Sequence, residues 1–250
     1  TQWYTAAPDS DSSNGSQMAS TRCPLPQDNC NFVQYSINGT GTVTVDQDMP
    51  RVCKTLDFTG VDAMAFHMNN VGQTIYGGLT FVANVTITSG NNLTFESMDR
   101  SGSYLFTTAE KTIGPANNIN VVGGKITLVG NLNTGTGNGR TLAVNNGTFD
   151  CDTYNFTCDT FNSSGTASRT ILLGSGTHRV YGNGFTGVTG WNMGTTSPPT
   201  GLSNPTTMAE TSTIEFSPVS GTNAQTFSGA GCTYNNLTIL STGSGVTTIT

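Results

Sequence analysis

Residues 145–182, NNGTFDCDTYNFTCDTFNSSGTASRTILLGSGTHRVYG, decide the fold. Side chains on a strand alternate between two faces, so Phe149 and Cys151 share one face. Tyr154, Phe156 and Cys158 also share a face, but their parity is opposite. One continuous strand would send Cys151 and Cys158 to opposite sides. A corner at Asp152–Thr153 removes the conflict and lets both sets point inward. A second corner is needed before Phe161. Ile171 and Leu173 follow, then a Gly-Ser-Gly break, then His178 and Val180. Short strands that turn corners and bury one face describe a coil of strands.

The same rhythm extends outward from this stretch. Leu56/Phe58, Ile75, Leu79/Phe81, Val85/Ile87 and Leu93/Phe95 form apolar beats with turn residues between them. It resumes at Ile126/Leu128 and Leu142/Val144. Three such strands make a coil of roughly 20–25 residues, the scale of a solenoid repeat. Fragments recur: Asn91-Asn92-Leu93-Thr94-Phe95 returns as Asn235-Asn236-Leu237-Thr238-Ile239, with Gly77–Phe81 as a third variant. The expected fold class is all-β, an elongated β-solenoid resembling a parallel β-helix. A jelly roll or β-sandwich is the alternative, since short strands with Gly-rich turns also allow it.

Composition agrees with strands. Apolar residues are 34% of the 250, and 31 glycines bring the total to about 46%, enough for a core. Charged residues are only 10%, and Thr, Ser, Asn and Gly replace them. All four are mediocre or poor helix formers. The net charge is −6 and the nine basic residues are scattered singly, so no basic patch is present to hold nucleic acid. No apolar run reaches the 18 residues of a membrane span, and no membrane insertion is expected. No signal peptide or initiator Met is visible, which suggests a processed chain or part of a longer product.

Two segments depart from the rhythm. Residues 1–31 lack alternation and are rich in Ser, Asp, Asn and Pro, which suggests an extended N-terminal arm. Residues 32–250 form the body. Within it, residues 183–211 carry Pro198, Pro199 and Pro205 among Gly and Thr, and read as a loop excursion bearing Trp191. Of the six cysteines, Cys23 and Cys30 bracket the loop CPLPQDNC and are the candidate disulfide; free thiols are the alternative. Cys53, Cys151, Cys158 and Cys232 lie in strand-like runs, where free Cys acts as a small buried hydrophobe.

The strings GTVTVDQDMPRVCKTLDFTG, NGTFDCDTYNFTCDTFNSS, RTILLGSGTHRVYGNG and QTFSGAGCTYNNLTIL resemble a group of Thr/Gly/Asn-rich β-helix-like structural or surface proteins of tailed bacteriophages and bacteria. The resemblance covers roughly residues 37–182 and 213–250. It rests on texture and a few strings rather than a catalytic motif. It implies a virion-associated or surface structural role and carries over no site residues.

Asp46/Asp48 and Asp150/Asp152 are spaced by two, so each pair shares a strand face. That is the pattern of a candidate acid/base or Ca²⁺ pair, and also of solvated strand ends. His178 alternates with Val180 and reads as an inward, hydrogen-bonded histidine; His67 lies in the apolar run Met64–Met68. Neither has a Ser or Cys in an elbow context. Trp191 and Tyr181 are the candidate glycan contacts, with Trp3 and Tyr4 as further aromatics. Eight N-x-S/T sequons, at Asn14, Asn38, Asn84, Asn92, Asn146, Asn155, Asn162 and Asn236, are about what this composition produces by chance.

These observations lead to two expectations. The first is a non-catalytic structural protein of a virus particle, a fibre, spike or capsid-surface component. It needs no cofactor or metal and is partnered by copies of itself and other virion proteins. The second is an extracellular or cell-surface protein that binds or cleaves polysaccharide, with host-surface glycan as its partner.

Overall fold

The computed structural model describes residues 25–33, 41–44, 52–61, 63–67, 72–89, 92–96, 102–113, 118–137, 139–182, 188–194, 211–217, 224–240 and 247–250. Within them the chain is all-β, a parallel β-solenoid with three sides, and no helix occurs among the described residues.

Each coil visits the sides in a fixed order. The first coil comprises β1 (Asn29–Val33), β2 (Gly41–Thr44) and β3 (Val52–Cys53). Next come β4 (Thr55–Gly60), β5 (Met64–His67) and β6 (Gln73–Ile75), then β7 (Leu79–Thr80), β8 (Val85–Ser89) and β9 (Leu93–Phe95). The following coil has β10 (Ser103–Thr107) and β11 (Ile119–Val121), with Thr112 bridging to Asn133 on the second side. Then follow β12 (Lys125–Val129), β13 (Leu132–Asn133) and β14 (Thr141–Val144); β15 (Gly147–Asp150), β16 (Phe156–Cys158) and β17 (Thr160–Asn162); and β18 (Arg169–Leu172), β19 (Thr177–Val180) and β20 (Val188–Asn192). The last described strands are β21 (Thr213–Phe216), β22 (Gln225–Ser228), β23 (Asn236–Ile239) and β24 (Thr247–Ile249). They occupy only the second and third sides.

The first side is a seven-stranded sheet, β1-β4-β7-β10-β12-β15-β18. The second carries β2-β5-β8 and then β13-β16-β19-β21-β23. The third is nine-stranded, from β3 to β24. At about 4.8 Å between strands, the third side is about 38 Å long. Every strand pair among the described residues is parallel. A jelly roll or sandwich built from antiparallel pairs is therefore excluded.

The interior follows from strand parity. Tyr104, Ile126, Phe149 and Ile171 form one column on the first side, at steps of 22, 23 and 22 residues by their numbers. Phe149, Cys151, Phe156, Cys158, Phe161, Ile171, His178 and Val180 are all fully buried, as the two-corner reading requires. The recurring strings do not mark equivalent positions. Leu93–Phe95 lies on the third side, Asn236–Ile239 on the second and Leu79–Thr80 on the first. The repeat resides in the coil geometry, because any side accepts an apolar-Thr-apolar strand.

Corners stack as regularly as strands. Asp152 adopts a left-handed backbone (φ 53°), as does Gly174 in the next coil (φ 65°). A Cβ on Gly174 would lie 1.4 Å from the Asp152 carbonyl oxygen. Gly174→Ala is expected to lose about 3 kcal/mol of folding stability, through left-handed strain and a forced corner shift. Urea unfolding of the two proteins measures it.

Two boundaries differ from the sequence expectation. The arm ends before residue 31, because Asn29–Val33 already pairs with Thr55–Gly60. Asn29 and Asn31 hid this strand, since they occupy its outward positions beside the inward Cys30. Residues 1–24 lie outside the described residues. The excursion at 183–211 is not continuous either. Val188–Asn192 is a strand of the third side, paired with β17 and β22 across a bulge at Thr189/Trp191. Residues 183–187 and 195–210, with Pro198, Pro199 and Pro205, lie outside the described residues.

Candidate functional site

Trp191 is buried, not displayed. It lies on the inward column Phe161–Trp191–Phe227. Its ring stacks on Phe161 with centroids 4.3 Å apart and on Phe227 at 5.6 Å. Its Nε1–H donates to the Tyr234 hydroxyl at 3.0 Å, and that hydroxyl donates to the Gly229 carbonyl at 3.2 Å. The glycine-rich surroundings suggested a loop, but Trp191 has the parity of Met193, and both point into the core. It cannot stack on a sugar without unfolding the coil.

Tyr181, the other candidate glycan contact, follows β19 and is half-buried. Its side chain hydrogen-bonds that of Arg179, two residues earlier on the outward face. Arg179 Nε–H donates to Glu215 Oε2 at 2.7 Å, and Nη2–H donates to the same oxygen. Arg179 and Glu215 are direct cross-strand partners. Tyr181 first, then Glu215, hold the guanidinium above its ordinary pKa. The result is a surface patch with an aromatic ring, a cation and a carboxylate on the second side.

Of the two carboxylate pairs, Asp150/Asp152 is tied into a corner of the coil. Asp150 Oδ2 lies 2.7 Å from Lys125 Nζ, and its Oδ1 accepts the Asp152 N–H at 2.9 Å. Asp150 thus holds the corner at which Asp152 turns left-handed. Asp46 and Asp48 lie outside the described residues, as do Trp3 and Tyr4. Among the described residues, no group of three or more His, Cys, Asp or Glu could hold a metal, and no helix is long and apolar enough to cross a membrane.

His178 sits on the interior column Leu132–Phe156–His178–Ile214. Its ring stacks on Phe156 with centroids 4.4 Å apart. Nε2 lies 2.8 Å from the Leu173 carbonyl, and Nδ1 accepts the Phe156 N–H at 3.4 Å. One nitrogen donates and the other accepts, so both contacts suit the neutral ring. Burial lowers the pKa to about 4, against a weaker opposing effect of the Leu173 hydrogen bond. Unfolded His178 takes up a proton below about pH 6.5, while the folded ring stays neutral until about pH 4. Stability therefore falls as pH falls through that window. From pH 7 to pH 5, above most carboxylate titration, the loss is expected to be about 2 kcal/mol. His178→Gln should flatten the profile in a pH series of urea unfolding curves. His67 is half-buried on the outward face, with Nδ1 3.1 Å from Thr88 Oγ1.

Other polar residues do structural work that composition does not announce. The buried Asp159 accepts the N–H groups of Gly137 at 3.0 Å and Arg140 at 3.1 Å, closing the loop before β14. Asn118 bridges coils: its Nδ2 donates to Asn92 Oδ1 at 2.9 Å and its Oδ1 accepts the Thr141 N–H at 3.0 Å. Asn131 and Asn155 repeat the device, with Oδ1 accepting Asn155 N–H at 2.9 Å and Thr177 N–H at 2.6 Å respectively. The corner asparagines thus satisfy backbone donors that the strands leave over.

Cys30, Cys53, Cys151, Cys158 and Cys232 are free thiols. Cys23 lies outside the described residues. Cys151 and Cys158 are fully buried, and burial raises the Cys158 pKa well above that of an exposed thiol.

Comparison with protein-family models, curated proteins and solved structures finds no match to this chain.

Proposed function

We propose that this chain is a non-catalytic structural protein of a virus particle, a fibre, spike or capsid-surface component. One observation carries the proposal. The buried polar side chains Asp159, Arg169 and His178 bond backbone groups of their own and neighbouring coils, so the polar chemistry inside the solenoid goes into holding the coils together. A stack of parallel coils held in this way suits a fibre or spike. The partners would be copies of the chain or other virion proteins, and the location the virion.

The test is sedimentation of the wild type over a range of concentrations. Concentration-dependent assembly is the expected result. A wild type that stays monomeric at every concentration contradicts the proposal.

The Tyr181–Arg179–Glu215 patch favours a second reading, an extracellular or cell-surface adhesin that binds glycan. Sugar rings stack on aromatic faces, while a guanidinium and a carboxylate can hydrogen-bond hydroxyls. Glycan-array binding that Tyr181→Ala abolishes would support it; binding unaffected by Tyr181→Ala would remove this patch from consideration.

A further inference from the structure

The first coil brings two thiols together inside the solenoid. Cys30 lies on β1 and Cys53 on β3, on different sides of the coil. The corner after β3 returns the chain beside β1: Lys54 N–H donates to the Asp28 carbonyl at 2.8 Å, and Asn29 pairs with Thr55. The Thr55 hydroxyl then donates to Asn29 Oδ1 at 2.8 Å, which pins the corner. Both cysteines are buried to within a few per cent and belong to the apolar core. Their side chains hydrogen-bond to each other.

We propose that Cys30 and Cys53 form a disulfide that closes the first coil. The spacing of CPLPQDNC pointed to Cys23 as the partner of Cys30, whereas the fold places Cys53 against it. The two thiols are not equivalent. The Cys53 thiol donates to Cys30 and lowers its pKa, outweighing burial and the nearby Asp28 carboxylate. The same contact, with burial, raises the pKa of Cys53.

The oxidant is a small-molecule disulfide, for which oxidised glutathione serves as the probe. The Cys30 thiolate attacks one glutathione sulfur, forming a mixed disulfide and expelling a glutathione thiolate. Cys53 then loses its proton and attacks Cys30 Sγ, forming the Sγ–Sγ bond and expelling the second glutathione. Two protein thiols are oxidised, one glutathione disulfide is reduced, and the two protons end on the leaving thiolates.

The experiment treats the full chain with oxidised glutathione at pH 8, alkylates the remaining thiols under denaturing conditions, and maps non-reduced peptides by mass spectrometry. The expected result is a linked Cys30–Cys53 peptide, formed equally well in Cys23→Ser and absent in Cys53→Ser. Closing a loop of about 20 residues should raise the thermal midpoint by about 5–10 °C, reversed by reductant. A Cys23–Cys30 peptide, or recovery of Cys30 and Cys53 both alkylated, overturns the proposal. The wild-type map decides the matter even if Cys53→Ser does not fold.

Discussion

Trp191→Ala is expected to lower folding stability by about 4–5 kcal/mol, the upper part of the range for removing a buried aromatic side chain. Three losses combine. The stacks on Phe161 and Phe227 disappear, the Tyr234 hydroxyl loses a donor, and a void opens between adjacent coils. Tyr234 also meets Trp191 edge-on at 6.0 Å and Phe227 at 5.5 Å, so its own packing loosens. Because a coil contacts only its neighbours, the damage should concentrate in β17, β20 and β22. Trp191→Phe keeps most of the stack and should cost about 1–2 kcal/mol. Urea unfolding gives the totals, and hydrogen exchange shows whether the loss is local to those strands.

The second large effect is expected at Arg169. Arg169→Met should cost about 3–4 kcal/mol, because buried carbonyls lose charged donors. The nearly buried guanidinium reaches across coils. Its Nε–H donates to the Ser163 hydroxyl at 2.7 Å and the Ser163 carbonyl at 3.0 Å. Nη1–H donates to the Ala167 carbonyl at 3.0 Å, and Nη2–H to the Met193 carbonyl at 3.3 Å. One side chain thus ties the segment after β17 to the segment after β20. Arg169→Lys keeps the charge but not the planar fork, so it should recover little of the loss. Equal stability of the arginine and lysine proteins would show that charge alone matters there.

The fold was legible where apolar parity was undisturbed. The slip between Cys151 and Phe156 forced a corner, and Asp152 supplies it with a left-handed backbone. Arg169 was also legible in principle, because it shares the inward parity of Ile171 and Leu173. Its polarity concealed that role, and only neighbouring coils could show which carbonyls it meets. Trp191 was misjudged because its neighbours are glycines and a bulge breaks the register at Thr189/Trp191. Asp159 gave no signal, since its partners Gly137 and Arg140 lie in the preceding coil. The Cys30–Cys53 contact had none either: spacing along the chain says nothing about which corner returns beside which strand. The candidate site was less legible than the fold. Tyr181 is accessible, but its companion Glu215 comes from the next coil and stands far away in sequence.

Imaging of native material by electron microscopy, combined with mass measurement, tests the account most directly. It predicts repeated copies in a fibre or particle. Free monomers at every concentration would contradict it.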